Sequence, residues 1–154
     1  MITPEVAAHL DGAVMIIMSS ETEGDWPTIG RGIGARSRDP GHLELIFSSH
    51  CFPQITQDLS RGCRLAVTLS RLQDYVTYQI KGRAALADAD DDDVTLADEY
   101  RARIRAGFEV IGVPTQMVHE WIGGTDLVRA IVEVSEVYHQ TPGPRAGTIV
   151  ARAS

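Results

Sequence analysis

Cysteine is scarce in this 154-residue chain, with only Cys51 and Cys63. Two are too few for a disulfide framework, so the core must stand without staples. Long apolar runs are missing as well: "AVMIIMSS" is strand length, far short of the ~20 residues that span a bilayer. The first residues lack the charged start and apolar run of an export signal, which makes the cytoplasm the expected location. Basic charge is in short supply, with 14 Lys and Arg against 21 Asp and Glu and a formal net charge of -7. A pI near 5.1 excludes a surface built to neutralise nucleic-acid phosphates and leaves room only for a local basic pocket. The five histidines, His9, His42, His50, His119 and His139, are scattered with no zinc-site spacing, so no metal is expected. His50 next to Cys51 does not read as a nucleophile pair, because neighbours on a strand point apart and no third group orients the imidazole. Cys51 reads as a small buried apolar residue. "GRGIG" fails as a dinucleotide fingerprint because it lies inside a strand pattern.

What is present is a length suited to one domain that buries ~70% of its unfolded surface. "TPEVAAHLDG" predicts a short helix with Thr3 as N-cap, Pro4 in the first turn and Gly12 as its stop. Strands are expected over 13–20, 28–37 and 42–48, with "ETEGDWP" and "RDPG" as turns. A short helix over 52–60 precedes a strand over 63–70 and a long strand over 75–86. The acidic run 88–93 suits a helix N-terminus, where carboxylates oppose the positive end of the dipole. Val94, Ala97, Arg101, Ile104 and Phe108 recur at helical spacing and predict the main helix over 94–108. "VPTQMVHEWIGG" adds a short helix, 126–139 a last strand, and 141–154 a turn-rich tail in which Arg145 is either an anion or interface contact or part of a surface turn. Short connections between strands disfavour alternating βαβ units and favour a small, mainly antiparallel barrel of α+β class.

Two strands carry functional hints. In "YVTYQIKGRAAL" one face holds Tyr75, Thr77, Gln79, Lys81 and Arg83, and the other Val76, Tyr78, Ile80, Gly82 and Ala84, so one side meets a core and the other something polar. In "TIGRGIGARS" the residues Gly30, Gly32 and Gly34 share a face. Glycine in a strand marks a bend, a bulge or a close-approaching object. Arg31 and Arg36 frame this segment with guanidiniums suited to phosphate. The competing reading is a barrel strand bending at its glycines, with surface arginines.

The succession from "AVMIIMSSETEGDWPTIGRGIGARSRDPGHLELIFSSHCFPQITQDLSRGCRLAVTLS" to "YQIKGRAAL" resembles the pyridoxamine 5'-phosphate oxidase-like FMN-binding split barrels. The resemblance covers roughly residues 1–140, which it makes one FMN-binding domain followed by the tail 141–154. It implies a six-stranded antiparallel split β-barrel with peripheral helices, acting as a homodimeric flavoprotein oxidoreductase on a small-molecule substrate; the acidic balance and the lack of a spanning run predict no nucleic acid or membrane partner. By that resemblance Arg31, Gly32, Ile33, Gly34, Ala35 and Arg36 border FMN, and Phe47 and Ser48 match an aromatic and hydroxyl pair. Gln54 stands where the family places a phosphate-binding lysine, and Thr77 falls near a family glutamine. With that lysine gone, Arg31 and Arg36 become the bases expected to hold phosphate. No side chain stands out as a catalytic acid or base. A deazaflavin, haem, or no cofactor at all in a binding or interaction protein remain the alternatives.

Overall fold

The computed structural model describes residues 1–21 and 26–153. The chain opens with α1 (Pro4–His9), where the Thr3 hydroxyl accepts from the Val6 N–H. There follow β1 (Val14–Ser20), β2 (Thr28–Arg31), β3 (Ala35–Asp39), β4 (His42–Ser48), α2 (Pro53–Ser60), β5 (Cys63–Arg71) and β6 (Thr77–Asp88). The long helix α3 (Asp91–Val110) and the short α4 (Thr115–Ile122) lead into β7 (Leu127–His139) and β8 (Ile149–Arg152). Strands run in the order β2-β1-β5-β6-β7-β4-β3, with β8 also on β7. All these pairings are antiparallel. The expected α+β class and antiparallel barrel are what the chain forms, with eight strands among the described residues in place of six. Part of "ETEGDWP", positions 22–25, lies outside the described residues. No helix among the described residues is long and apolar enough to cross a membrane.

Both extra strands have a local cause. The strand expected over 28–37 changes partner midway: β2 pairs with β1, and β3 with β4. At the corner the Gly32 N–H donates to the Ile16 carbonyl (3.0 Å), and the Ile33 N–H to the Ile46 carbonyl (2.7 Å). Residues 32–34 therefore stitch the two ends of the strand path together, which closes the barrel and leaves no long open edge there. The glycines are needed for packing, because a Cβ on Gly30 would lie 2.6 Å from Ile55 Cδ1 and one on Gly32 2.6 Å from Ile16 Cγ2. Their missing side chains admit the protein's own core. The second extra strand, β8, sits in the turn-rich tail and pairs with the far end of β7.

Alternation sets the core. Val14, Ile16, Met18, Leu65, Val67, Leu69, Tyr78, Ile80, Val132 and Val137 point inward and are almost fully buried, each contributing about 1.5–3 kcal/mol. The opposite face of β5 and β6 is polar and pairs across strands, as with the Thr77 hydroxyl on Ser70 and the Gln79 amide on Thr68. Tyr75 is an exception to the expected strand: it lies in the turn before β6 with φ 59° and is exposed.

The acidic run caps α3 as expected. The Asp90 carboxylate accepts from the Asp93 N–H, and the Asp93 carboxylate from the Asp90 N–H, a reciprocal capping box. Asp93 goes further, being completely buried. One of its oxygens takes Arg36 Nη2 at 2.6 Å, and the other takes Arg129 Nη1 at 3.0 Å. Glu44 accepts from Arg36 Nε at 2.6 Å. This cluster ties the start of α3 to β3, β4 and β7.

Removing Asp93 leaves two guanidiniums short of their shared anion, so Asp93→Ala is expected to lower unfolding free energy by about 3–5 kcal/mol. Asp91→Asn and Asp92→Asn, on exposed side chains, should stay within about 0.5 kcal/mol. Urea unfolding of the three variants checks this, and equal losses would contradict a special place for Asp93. The backbone N–H of Asp93, followed by Arg129, holds the Asp90 carboxyl below its ordinary 3.8. Its stabilisation is therefore fully present above that value and fades as pH falls through the lower folded-state value. Asp90→Asn, which keeps a good cap residue, should flatten the acid side of the stability profile. An unchanged acid limb would count against this assignment.

Candidate functional site

A cleft of about 280 Å³ opens where the β2–β3 corner, the end of β4, the start of α2 and the end of α4 converge. Its walls include Arg31, Ile33, Ser48, Cys51, Phe52 and Trp121. Three of the ten site residues expected from the sequence, Arg31, Ile33 and Ser48, therefore share one cavity. The floor is apolar, with Ile33 2% exposed. The Ser48 hydroxyl donates to the Thr125 carbonyl (2.5 Å) and accepts from the Cys51 N–H (3.2 Å), which fixes the turn after β4. Cys51 is exposed at the mouth, contrary to the buried apolar role its sequence context suggested. The difference arises because it follows the strand and does not lie within it. Cys63 is the more enclosed cysteine, and burial pushes its thiol up to about 11.

Arg31 is the cation of this cleft. Its guanidinium lies 4.8 Å from the centroid of the Trp121 ring, a contact worth about 0.5–1 kcal/mol at a partly exposed site. Among the described residues no carboxylate forms an ion pair with it. Arg36 differs entirely, with its donors committed to Glu44 and Asp93. Gln54 is exposed on the first turn of α2 and gives its amide to Asp58 at 2.9 Å. Asp58 also accepts from the Ser20 hydroxyl at 2.7 Å. The remaining expected site residues stand apart from the cleft walls. Gly32 and Gly34 are corner positions packed against Ile16 and Leu96. Ala35 is buried and Phe47 is fully buried. Thr77 is buried and hydrogen-bonded to Ser70 and to the Tyr75 carbonyl.

Two features of the cleft were not read from the sequence. Arg101 on α3 donates Nε to the Ile122 carbonyl (3.0 Å) and Nη2 to the Gly124 carbonyl (2.8 Å), so it holds the rim formed after α4. In the sequence it counted only as one turn of a helical repeat. Gly124 adopts φ +127°, and a Cβ there would fall 2.7 Å from the Ser48 Cβ. The rim can approach Ser48 only because this residue is glycine.

As for fit to an anionic cofactor, the residues present suit one anionic group at Arg31, beside an apolar floor and an aromatic wall. They do not form a two-cation phosphate grip, since Arg36 and Gln54 are both engaged with carboxylates.

No protein-family model matches this sequence, and no curated protein matches it. Solved structures do share its fold. HupZ of Group A Streptococcus is 15% identical with a TM-score of 0.56, over 96% of this chain and 100% of that one. A pyridoxamine 5'-phosphate oxidase-related, FMN binding protein of Nostoc punctiforme is 14% identical with a TM-score of 0.50, over 94% and 89%. General stress protein 26 of Bacillus anthracis is 13% identical with a TM-score of 0.50, over 86% and 88%. At such identities the likeness establishes the fold: this chain folds as the split barrels related to pyridoxamine 5'-phosphate oxidase do.

Arg101→Ala removes two charge-assisted bonds to rim carbonyls and is expected to cost about 1.5–3 kcal/mol. Amide exchange over residues 123–125 should accelerate more than exchange in the β5–β6 ladder. Uniform acceleration across both regions would show that Arg101 has no specific hold on the rim.

Proposed function

We propose that this chain is a homodimeric split barrel that binds an FMN-type flavin at the Arg31 cleft and serves as an oxidoreductase on a small molecule. The observation that carries this reading is the partition of the two arginines. Arg36 is neutralised by Glu44 and Asp93, while Arg31 stands in a cleft with an apolar floor and an aromatic wall and has no ion-pair partner among the described residues. A buried or half-buried guanidinium without a carboxylate is the group an anionic ligand recognises. The likeness in fold to an FMN binding protein supports the choice of ligand. Flavin, when bound, supplies the redox chemistry, and the chain's own groups hold and orient it. Arg31 would take the phosphate charge, Trp121 would flank it, and the Arg101-held rim would limit access of water.

A second copy is part of the proposal. The outer face of β1 and β2 carries Met15, Ile17 and Ile29 beside Arg31, with Ile29 65% exposed. Trp121 and Met117 on α4 are exposed too. Apolar groups clustered at the mouth of a cleft support cover by a two-fold mate. At 280 Å³ the cleft of one chain sits at the lower limit for a cofactor pocket, which a partner's surface would deepen.

One observation favours a second reading. Gln54 and Arg36 are both tied to carboxylates, so a barrel without flavin, taking a smaller anion on Arg31 alone, also accords with the site. Titration separates the two. Wild type is expected to bind FMN saturably, and Arg31→Ala to weaken it roughly ten- to hundredfold. Riboflavin, lacking the phosphate, should be indifferent to that change. Arg36→Ala should lower thermal stability while leaving FMN affinity near wild type. Absence of saturable FMN binding by the wild type would remove the flavin reading and leave the small-anion one. Light scattering should give twice the 16.8 kDa chain mass; a stable monomer at micromolar concentration would contradict the dimer.

A further inference from the structure

A second cavity, of about 350 Å³, shares no residue with the Arg31 cleft. It lies between α1, the β5–β6 turn, the end of β7 and the tail segment "TPGPRAG". Its polar lining includes Glu5, His9, Arg71, Tyr78, His139 and Arg145. The tail is folded back over it by the Gly147 N–H donating to the His139 carbonyl (2.7 Å) and the Gln140 N–H to the Thr77 carbonyl (2.8 Å). Thr148 donates its N–H and its hydroxyl to the Arg145 carbonyl, at 3.0 and 2.7 Å. Arg145 is thus placed by a defined turn.

Most polar groups of the cavity are already matched. Arg71 makes a double contact with Asp74, at 2.9 and 2.7 Å. The Tyr78 hydroxyl donates to Glu5 at 2.8 Å, and burial with that carboxylate pushes the phenol up to about 12, so it stays protonated. His9, almost fully buried, places Nε2 3.2 Å from the Leu69 carbonyl. The three rings contact in sequence, His9 edge-to-face with Tyr78 at an interplanar angle of 86° and Tyr78 tilted against His139 at 38°, each pair with centroids 5.0 Å apart.

Among the described residues, two groups are left over. His139 Nδ1 is buried without a hydrogen-bond partner, and Arg145 has no carboxylate in ion-pair range among the described residues. A buried unpartnered nitrogen is unfavourable until something fills it. With its proton on Nδ1, the His139 imidazole lining the cavity is, together with the Arg145 guanidinium, complementary to an oxygen-bearing anion. Ala8 and Val76 also line the space and suit a short apolar body. Glu5 adds a negative charge, which favours a ligand of one or two negative charges over a polyanion. We propose that this cavity is a second binding site, for a small organic oxyanion, a carboxylate or phosphate monoester, held by Arg145 and His139.

Benzoate and phenyl phosphate serve as probes of the two anion types, titrated by calorimetry into the intact protein with the imidazole nitrogens of His139 followed by NMR. One of them is expected to saturate, shift the His139 Nδ1 resonance, and weaken roughly ten- to hundredfold in Arg145→Ala. Arg145 is exposed on a turn, so this variant should keep its fold. Arg31→Ala should bind the same probe as wild type does. The proposal is overturned if neither probe saturates, if Arg145→Ala binds like wild type, or if Arg31→Ala abolishes binding. Saturation with a static His139 resonance would overturn it as well, since the ligand would then bind without engaging that nitrogen.

Discussion

The buried carboxylate of Asp93 is the interaction on which the rest of the structure turns. It closes the first turn of α3 through its backbone partner Asp90 and holds Arg36 of β3 and Arg129 of β7 by separate oxygens. An ion cluster of this kind is stable only when every member is paired, because each charge has given up water. Its consequence reaches the candidate site: with Arg36 satisfied internally, Arg31 is the cation near the β2–β3 corner that has no ion-pair partner among the described residues. A side chain used to fasten a helix to a barrel thus decides which arginine can meet a ligand.

Closure of the barrel also shapes the cleft beside Arg31. The chain passes from β2, paired with β1, to β3, paired with β4, across Gly32, Ile33 and Gly34, and the Gly32 and Ile33 N–H groups bond strands on both sides. The same corner sets Arg31 on the outer face beside Ile17, its register partner in β1. Ser48, ending β4, and the Arg101-held rim complete the cleft from the other side. The geometry that closes the fold and the geometry of the proposed binding cleft share these few residues.

Local signals in the sequence were strong enough to place most elements. Thr3 and Pro4 start α1, the aspartates start α3, and alternation assigns the two faces of β6, because each depends on neighbours within a few positions. What escaped depends on distant partners. A partner change at the glycine corner leaves the alternation of residues 28–37 undisturbed, so one strand was expected where two exist. A four-residue strand in a Gly- and Pro-rich tail carries too little pattern to stand out. The burial of Asp93 is hidden within a run of like charges, and its partner Arg36 is 57 residues away. For the site, the neighbourhood of Arg31, Ile33 and Ser48 was legible through the family resemblance. The difference between Arg31 and Arg36 was not, since it rests on which carboxylates the fold delivers to each.

The central claim is that the Arg31 cleft receives a flavin. Purifying the protein, recording its visible absorption spectrum and identifying by mass any small molecule released on denaturation tests this most directly. A flavin spectrum with FMN in the released fraction is the predicted result. A colourless protein that releases no flavin and gains no flavin absorption after incubation with FMN and removal of the excess would contradict it.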